Sequence, residues 1–525
     1  MEDHRSFRPA KRVGLPHVAF SLLVDWGQLP EGYHVAMAFS WTDEQEAIFA
    51  CKEIRLRVRA FAGASKTTSL VEYTKRHSRR RFLYLSYNRS IADEATGKFP
   101  RNVDCFSTHQ VAYKAVAAKY KHKLGENLRP SDVKRVLNLD DWNLVRAAIG
   151  TVTNFLNSTI EVIHEDHLPQ LNGRPVSQMS PSFVDAVFQC SQELWNRMLD
   201  PDDLDIPMLH DGYLKLYFLS KPDLSLKYDA VLADEAQDLN GITLGLAKSQ
   251  SCQVILVGDT HQQLYSFRGS DNALSDPDLD TAVDLYLTKS FRFGPAVATI
   301  ANILLSYKGE TNKVVGAGYP TKVKAVLDSD AVRPALLHRT VMGVIMSALE
   351  LTSKNKKIFW VGKIDSYKIS DIEDLYWLSE GNTSKIKSKR LLKEFKNWDD
   401  YVSVAEASKD RDMARAIKIV TSYDHLDEAL AQIRKLTVKD ERSADVILST
   451  AHRSKGLEFD YVSLEEDFPD PLDPEMSESS RDDEINLLYV AATRAKICLA
   501  VNSIIIGMMR DYERRRKISI QMAGN

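Results

Sequence analysis

Short apolar runs recur along the chain, and a polar or glycine-bearing turn follows each of them. Five of these runs are LRVRAFAGAS, RFLYLSYN, YDAVLADEAQ, CQVILVGDT and ADVILSTAH. Continuous apolar runs between longer helical patterns are typical of buried parallel strands. Parallel strands need crossover helices, so the pattern predicts an α/β fold of parallel sheets flanked by helices. Sheets of this kind bind ligands at the carboxyl ends of their strands, where each run carries its polar residues.

Two stretches lack this strand pattern. Residues 113–225 are rich in helical pattern, as in SDVKRVLNLDDWNLVRAAIGTVTNFLN, and residues 300–440 are mixed and more polar. A chain of 525 residues is also too long for a single core. We therefore expect two sheet domains that carry insertions. The predicted segments are 37–112 with 226–295 (first sheet domain), 113–225 (helical insertion), 296–330 with 441–510 (second sheet domain), 331–440 (reduced, mixed insertion) and 511–525 (tail).

The first 36 residues precede MAFSWTDEQ, where the recognisable protein begins, and we interpret them as an extension or as a misplaced start. Their short apolar run is flanked by charges and lacks a small-residue cleavage site, so a signal peptide is not predicted. No stretch approaches the roughly 18 apolar residues of a membrane span, so no membrane partner is expected. Five cysteines without paired spacing indicate neither a zinc site nor a disulfide framework. A reducing compartment fits best: the cytoplasm and nucleoid of a bacterium, or the nucleus of a eukaryote.

The charge balance limits how nucleic acid could be held. Hydrophobic residues make up 44% of the chain, charged residues 27%, and the formal net charge is −3. This argues against binding by bulk charge alone but permits local basic patches. Two candidates are KRHSRRR, residues 75–81, and KIKSKRLLKEFK, residues 385–396. The alternative for each is a solvated helix face.

The segment AFAGASKTTSL, residues 60–70, follows an apolar strand and precedes a helical pattern. A P-loop has this arrangement, because its backbone N–H groups wrap phosphate at a helix N-terminus. Lys66 is expected to supply a positive charge to the outer phosphates of ATP, and Thr67 to bind Mg²⁺. The predicted phosphate loop comprises Ala62, Gly63, Ala64, Ser65, Lys66, Thr67 and Thr68.

Ser65 departs from the usual P-loop, which has glycine before the lysine. Glycine is used there because the backbone bends sharply and approaches the phosphates closely. A serine is small enough to be tolerated, but it weakens the motif. This departure leaves open a protein that keeps the loop only as a scaffold.

Two adjacent acids end the apolar strand in YDAVLADEAQDLN. Asp234 is expected to hold Mg²⁺, directly or through water, and Glu235 to orient and deprotonate the attacking water. The alternative is that these acids simply favour a helix N-terminus.

Four segments in order, DEAQD, VGDTHQQLYSFRGS, LSTAHRSKGLEF and LLYVAATRAK, resemble the motif series of superfamily 1A helicases, the UvrD/Rep group. PMLHDGYLKLYFL, AFAGASKTTSL and YNRSIADEA are similar to the helicase part of the F-box DNA helicase family, although no F-box is recognised. The resemblance runs from about residue 41 to 505. It implies two RecA-like P-loop NTPase domains, 1A and 2A, which carry the insertions 1B and 2B and share one ATP.

The resemblance also implies roles for individual residues around ATP. Gln45 matches the residue that reads the adenine edge, Phe291 an aromatic that stacks on the base, and Glu458, with Gly456 in the same motif, a ribose contact. Gln262 matches the sensor of the γ-phosphate, and Arg292 and Arg494 match arginines that reach that phosphate from the second motor domain. The fourth motif reads Ser-Phe-Arg instead of the usual Asn-Tyr-Arg. The alternative for each arginine is a surface ion pair.

The implied DNA track combines aromatic platforms for bases with polar contacts to the backbone. Tyr87, Tyr265 and Phe267 are the predicted platforms, and Arg268 follows in an expected exposed turn. The backbone contacts by resemblance are Asn88, Thr108, His109, Thr450 and His452. The alternative for each aromatic is a place in the core. Stacking tolerates any base, so little sequence preference is expected.

Together these features predict an ATP- and Mg²⁺-dependent 3′-to-5′ helicase or translocase on single-stranded or tailed and forked duplex DNA, as a monomer or weak oligomer. It would act in repair, recombination or genome defence. A fused nuclease is not expected, since only residues 497–525 follow Lys496. The reduced second insertion leaves open whether the protein unwinds duplex or only translocates. The alternatives are a catalytically weak P-loop protein that strips or blocks proteins on single strands, and RNA as the track.

Overall fold

The computed structural model describes residues 40–86, 89–264, 273–276, 282–408, 411–423 and 425–523. These residues form two compact units that divide between Leu287 and Thr288. The sequence placed the division eight residues later, after residue 295. The division lies earlier because the last strand of the first sheet ends at Leu287 and the next strand pairs within the second unit. Phe291 and Arg292 therefore belong to the C-terminal unit.

The N-terminal unit contains ten strands: β1 (Arg55–Ala60), β2 (Phe82–Ser86), β3 (Val103–Ser107), β4 (Leu124–Gly125), β5 (Gln170–Leu171), β6 (Arg174–Pro175), β7 (Met208–Leu209), β8 (Ala230–Ala233), β9 (Gln253–Gly258) and β10 (Val283–Leu287) among its described residues. The helices there are α1 (Asp43–Ala50), α2 (Lys66–Arg76), α3 (Arg89–Thr96), α4 (Thr108–Val116), α5 (Pro130–Val136), α6 (Trp142–Asn157), α7 (Pro181–Leu199), α8 (His210–Leu219) and α9 (Gly241–Lys248).

The main sheet of this unit has the strand order β10-β1-β9-β8-β2-β3, and every neighbouring pair is parallel. Alternation along β2 sends Leu83 and Leu85 to one face, and Phe82 and Tyr84 to the other. The first face packs against the helices between β3 and β8, in a cluster that includes Trp195. The predicted α/β fold with parallel sheets flanked by helices is thus confirmed. All carboxyl ends of the sheet strands lie at one edge.

The C-terminal unit contains eight strands in its described residues: β11 (Lys289–Ser290), β12 (Val315–Gly316), β13 (Lys322–Lys324), β14 (Ala335–His338), β15 (Ile358–Trp360), β16 (Val446–Thr450), β17 (Phe459–Leu464) and β18 (Ala495–Ala500). Its helices are α10 (Pro295–Ser306), α11 (Val341–Ser353), α12 (Ile369–Ser379), α13 (Lys389–Glu394), α14 (Trp398–Ser408), α15 (Arg411–Ser422), α16 (Leu426–Leu436), α17 (Glu478–Ala492) and α18 (Ser503–Ala523). The main sheet has the order β13-β18-β17-β14-β16-β15 and is also parallel.

Two strands of this sheet lie inside the segment 331–440 that the sequence assigned to an insertion. β14 pairs with β16 and β17, and β15 pairs with β16. The prediction was wrong at this point because strands of four and three residues are too short to show a pattern in a mixed stretch. The helices α12–α16 between β15 and β16 are the actual interruption, and they share one hydrophobic core with Ile358 and Leu448 of the sheet.

The end of the chain also differs from its prediction. The boundary expected between residues 510 and 511 falls inside α18, which continues to Ala523. Within the described part of the chain, no helix is both long enough and apolar enough to cross a membrane.

Candidate functional site

The predicted phosphate loop connects the end of β1 to the start of α2. Gly63 has φ +73°, and Ser65, which precedes the first residue of α2, has φ +58°. Both values lie in the left-handed region, so the loop turns sharply before the helix begins. Lys66 and Thr67 occupy the first turn of α2, where free backbone N–H groups and the helix dipole favour an anion.

Ser65 is in a conformation that glycine would adopt without cost. Its φ of +58° and ψ of +40° are left-handed, and its side chain does not cap α2. An L-residue pays about 1–2 kcal/mol for this conformation. The left-handed backbone at this position is the reason that a P-loop normally has glycine there.

Replacing Ser65 by glycine is expected to stabilise the N-terminal unit by about 0.5–1 kcal/mol, since relief of strain exceeds the added entropy of the unfolded chain. The midpoint of thermal unfolding should rise by about 2 °C. Thr68→Gly is the matched control. It lies one turn further along, in ordinary helix, and should lower the midpoint. A lower midpoint for Ser65→Gly would contradict the strain assigned to this position.

Asp234 collects several hydrogen bonds just beyond the end of β8. The Thr67 hydroxyl donates to its Oδ2 over 2.7 Å, and the Tyr84 hydroxyl donates to the same oxygen over 3.1 Å. The backbone N–H of Glu235 donates to Oδ1 over 2.9 Å. The two predicted Mg²⁺ residues are therefore in direct contact. Hydroxyl and carboxylate oxygens are the ligands that Mg²⁺ prefers.

Lys66 and Glu235 form an ion pair beside these oxygens, with 3.4 Å between Nζ and Oε1. Burial acts to lower the pKa of Lys66, but the carboxylates of Glu235, Asp259 and Asp234 outweigh it and raise that pKa. Lys66 therefore remains a cation at neutral pH. Burial raises the pKa of Asp234, and the charge of Glu235 raises it further. Asp234 is thus out of bulk water, whereas the Glu235 side chain is 32% exposed.

A chain of amide and carboxylate groups links Glu235 to Gln262. Gln237 Nε2 donates to Glu235 Oε2 over 2.7 Å, and the Asp259 N–H donates to Gln237 Oε1 over 2.9 Å. Gln262 Nε2 then donates to Asp259 Oδ2 over 2.7 Å. Gly258 permits this approach, because an added Cβ would collide with Gln237 Oε1. A change at Gln262 can thus reach the acid that faces Lys66.

Sequence reasoning missed three members of this network: Tyr84, Gln237 and Asp259. The signal for two of them was present, since Gln237 and Asp259 lie inside the quoted motifs DEAQD and VGDTHQQ. Tyr84 carried no signal, because it reads as one apolar residue of a strand.

Gln45 is buried between α1 and α2. Its Oε1 accepts from the Thr42 N–H over 3.0 Å, and its Nε2 donates to Ser69 Oγ over 3.0 Å. The Ser69 hydroxyl in turn donates to the carbonyl of Ser65 over 3.0 Å. Gln45, the predicted adenine reader, therefore contacts the residue that directly follows the phosphate loop. Both ends of its amide group are hydrogen-bonded within the protein.

The residues predicted to act from the second domain converge within the C-terminal unit. Arg292 Nε donates to Glu458 Oε1 over 2.7 Å, and its Nη1 donates to the carbonyl of Thr493 over 3.1 Å. Arg494 is 1% exposed and donates to the carbonyls of Val490 and Leu457 over 2.8 and 3.2 Å. Glu458, predicted to contact ribose, thus holds Arg292. Neither arginine forms only a surface ion pair.

Phe291 and Gly456 lie beside this arginine pair in sequence. Phe291 is 42% exposed, and the Lys289 Nζ lies 5.8 Å from the centre of its ring. The ring is therefore partly accessible, and stacking on a base requires an accessible ring. Gly456 has φ +83° and is exposed, as the turn before Glu458 requires.

Five of the predicted DNA contacts lie outside the described residues: Tyr87, Asn88, Tyr265, Phe267 and Arg268.

The other predicted contacts sit at strand ends. Thr108 begins α4 directly after β3 and accepts from the Thr243 hydroxyl over 3.1 Å. His109 Nε2 lies 3.0 Å from Asp211 Oδ1, in the segment PMLHDGYLKLYFL. In the C-terminal unit Thr450 ends β16, and His452 follows. Burial and the Arg339 guanidinium lower the pKa of His452 to about 4, so it is neutral at physiological pH.

Comparison with known proteins identifies a family. The model of the UvrD-like helicase C-terminal domain matches residues 123–504. The chain is similar to F-box DNA helicase 1 of Gallus gallus, at 33% identity over 499 residues that cover 88% of this chain and 49% of the relative. It is 31% identical to F-box DNA helicase protein 1 of Schizosaccharomyces pombe over 518 residues, 88% of this chain and 57% of the relative.

A more distant similarity connects the chain to the ATP-dependent DNA helicase srs2 of Schizosaccharomyces pombe, at 23% identity over 49% of this chain and 28% of the relative. The chain spans about half the length of the two F-box helicases that it matches, 49% and 57%. These matches confirm the family resemblance that the ordered motifs indicated.

Proposed function

This chain belongs to the UvrD-like helicase family, and on that premise we propose that it is an ATP-dependent motor that moves 3′ to 5′ along single-stranded DNA. One observation carries the proposal: Lys66, Thr67, Asp234 and Glu235 meet at the carboxyl edge of a parallel sheet, with the lysine charged, Asp234 buried and Glu235 half-buried. A scaffold freed from catalysis has no need to keep this arrangement. The 3′-to-5′ direction follows from the family resemblance alone.

In the proposed reaction, Lys66 and the N–H groups of the phosphate loop hold the outer phosphates of ATP. Mg²⁺ held by Thr67 and Asp234 would neutralise charge that develops on those phosphates. Glu235 orients the attacking water and accepts its proton. Gln262 reports the state of the γ-phosphate through Asp259 and Gln237, because each contacts the next.

Arg292 and Arg494 are proposed to contact the γ-phosphate from the C-terminal unit. Charge spreads over the phosphoryl oxygens as the bond breaks, and a guanidinium placed there stabilises it. The resemblance to superfamily 1A helicases implies that binding and hydrolysis of one ATP are coupled to movement of the motor domains. That coupling would convert binding free energy into motion along the strand.

Single-stranded DNA is expected to raise ATP turnover strongly, because the proposed DNA contacts adjoin the ATP residues in sequence. The parent chain and Lys66→Ala should be compared with and without oligo-deoxythymidine, and on RNA of equal length. Strand separation should be measured on 3′-tailed, 5′-tailed and forked duplexes. Unwinding of the 3′-tailed and forked substrates supports the proposal. Turnover that ignores both DNA and Lys66→Ala would sink it, and stronger stimulation by RNA would change the track.

The left-handed backbone of Ser65 favours one alternative, a protein that binds DNA and blocks or strips other proteins with weak ATP turnover. Ser65→Gly separates the two. A motor already active with serine should change little in turnover, whereas a weakened loop should gain activity when the strain is removed. DNA-stimulated turnover that appears only in Ser65→Gly would favour the alternative.

A further inference from the structure

We infer that Arg453 is a positioning residue that connects the loop carrying Thr450 and His452 to the turn that precedes the helices α12–α16. The inference rests on the proposed function, because the DNA contacts of that loop are themselves proposed. Arg453 lies inside LSTAHRSKGLEF, yet neither the sequence nor the proposed chemistry gave it a role. Its side chain contacts Ser366 and Tyr367, which have no proposed contact with ATP.

The Arg453 side chain reaches the turn that follows β15. Its Nη2 donates to the carbonyl of Ser366 over 2.8 Å, and its Nη1 donates to the Ser366 hydroxyl. The guanidinium carbon lies 4.3 Å from the centre of the Tyr367 ring, which is a cation–π contact. Tyr367 is fully buried and donates its hydroxyl to the carbonyl of Val361 over 2.8 Å. Arg453 therefore contacts a ring that is buried and whose hydroxyl is hydrogen-bonded to the backbone.

The turn that Arg453 contacts, residues 362–368, has three residues with positive φ. Gly362, Lys363 and Lys368 have φ of +84°, +72° and +53°. Two of these three are lysines, which adopt such angles only where the surroundings determine them. Ser366 helps to do so, because its hydroxyl lies 2.8 and 2.7 Å from the carbonyls of Gly362 and Lys363. Ser366 thus stabilises the backbone of the turn and also accepts hydrogen bonds from Arg453.

This turn is where the chain leaves the sheet for the helices. β15 ends at Trp360, and α12 begins at Ile369. A contact at residues 366–367 therefore acts on the start of α12. An added Cβ at Gly362 would lie 3.3 Å from Arg453 Nη1, so the guanidinium also packs closely on the turn itself.

The backbone of Arg453 is tied to the proposed DNA contacts. Its N–H donates to the carbonyl of Thr450 over 3.1 Å, and the Ser454 N–H shares that acceptor, also over 3.1 Å. The Ser454 hydroxyl donates to the carbonyl of Ala451 over 2.7 Å. The loop is a tight turn on the end of β16, and a shift of Thr450 or His452 on DNA must move Arg453. Its side chain then passes that shift to α12.

Arg453→Met tests the link, because methionine keeps a similar stem and loses the charge and the donors. We expect the number of base pairs opened per ATP to fall about tenfold, within the roughly 5–150-fold range of coupling between sites. Arg453→Lys, which retains a cation over Tyr367, should restore part of the loss, and Ser366→Ala should give an intermediate loss. Arg442→Met, at an exposed arginine of the same unit, is the matched control and should behave as the parent.

Amide hydrogen exchange gives a second measurement that does not depend on activity. Without DNA, Arg453→Met should speed exchange in both 362–368 and 451–456, while β16 stays protected. With oligo-deoxythymidine, the parent should gain protection in 362–368, and Arg453→Met should not. Faster exchange in only one of the two segments would overturn the link.

The failures of the two proposals look different. Equal losses of ATP turnover and strand opening in Arg453→Met would overturn the positioning role while the motor stands. A parent chain whose ATP turnover ignores DNA would instead overturn the proposed function, and with it the DNA side of this inference.

Discussion

Glu235→Gln is expected to lower ATP turnover at saturating single-stranded DNA by about 10²–10⁴-fold, the contribution of a positioned general base. Glu235 has φ +50° directly after Asp234, so its backbone turns the carboxylate back toward the phosphate loop. Oε1 lies 3.4 Å from the Lys66 ammonium, and Oε2 accepts from Gln237. Glutamine keeps the shape and one acceptor oxygen but cannot take a proton from water.

The measurement is ATP turnover at several ATP and DNA concentrations, together with equilibrium binding of ATP with Mg²⁺. Binding should change far less than turnover, because Lys66 and the phosphate loop remain. Glu94→Gln is the matched control, since Glu94 is exposed on α3 and pairs only with Lys98 among the contacts described. Turnover of Glu235→Gln within about threefold of the parent would assign the base to another residue.

The sequence could predict this half of the site because its parts are local. Asp234 and Glu235 directly follow one buried strand, Lys66 follows another after a short loop, and parallel strands bring their carboxyl ends to one edge. The sequence therefore predicted that Lys66, Thr67, Asp234 and Glu235 would be close, and Lys66 contacts Glu235 while Thr67 contacts Asp234. The role of each residue in ATP hydrolysis remains a prediction.

The rest depended on tertiary contacts that no local pattern encodes. The hydrogen bond between Asp259 and Gln237 connects the segments that follow the consecutive strands β8 and β9, and Gly258 leaves the space for it. The hydrogen bond from Arg453 to Ser366 likewise connects the loop after β16 to a turn 87 residues earlier in the chain. The sequence did not predict the strands β14 and β15 for a different reason. Runs of four and three residues carry no measurable period, so their place in the sheet appears only when neighbours pair with them.

Arg292→Met is expected to lower DNA-stimulated ATP turnover by about 10³-fold or more, the lower end of what an arginine at the transferring phosphate contributes. The effect should appear in turnover rather than in folding. Arg292 bonds a partly exposed carboxylate, Glu458, and one carbonyl, that of Thr493. Arg494 is fully buried and holds two carbonyls, so its replacement would confuse catalysis with stability. Arg292 is therefore the better probe.

Turnover, ATP binding and thermal unfolding should be measured together for Arg292→Met and for Arg434→Met. The control removes an arginine of the same unit that pairs with Glu373 over 2.9 Å and has no proposed nucleotide contact. A loss of turnover in Arg292→Met, with ATP binding and thermal unfolding retained and with Arg434→Met unchanged, would support the proposed role of Arg292 at the transferring phosphate. Normal turnover in Arg292→Met would overturn that role.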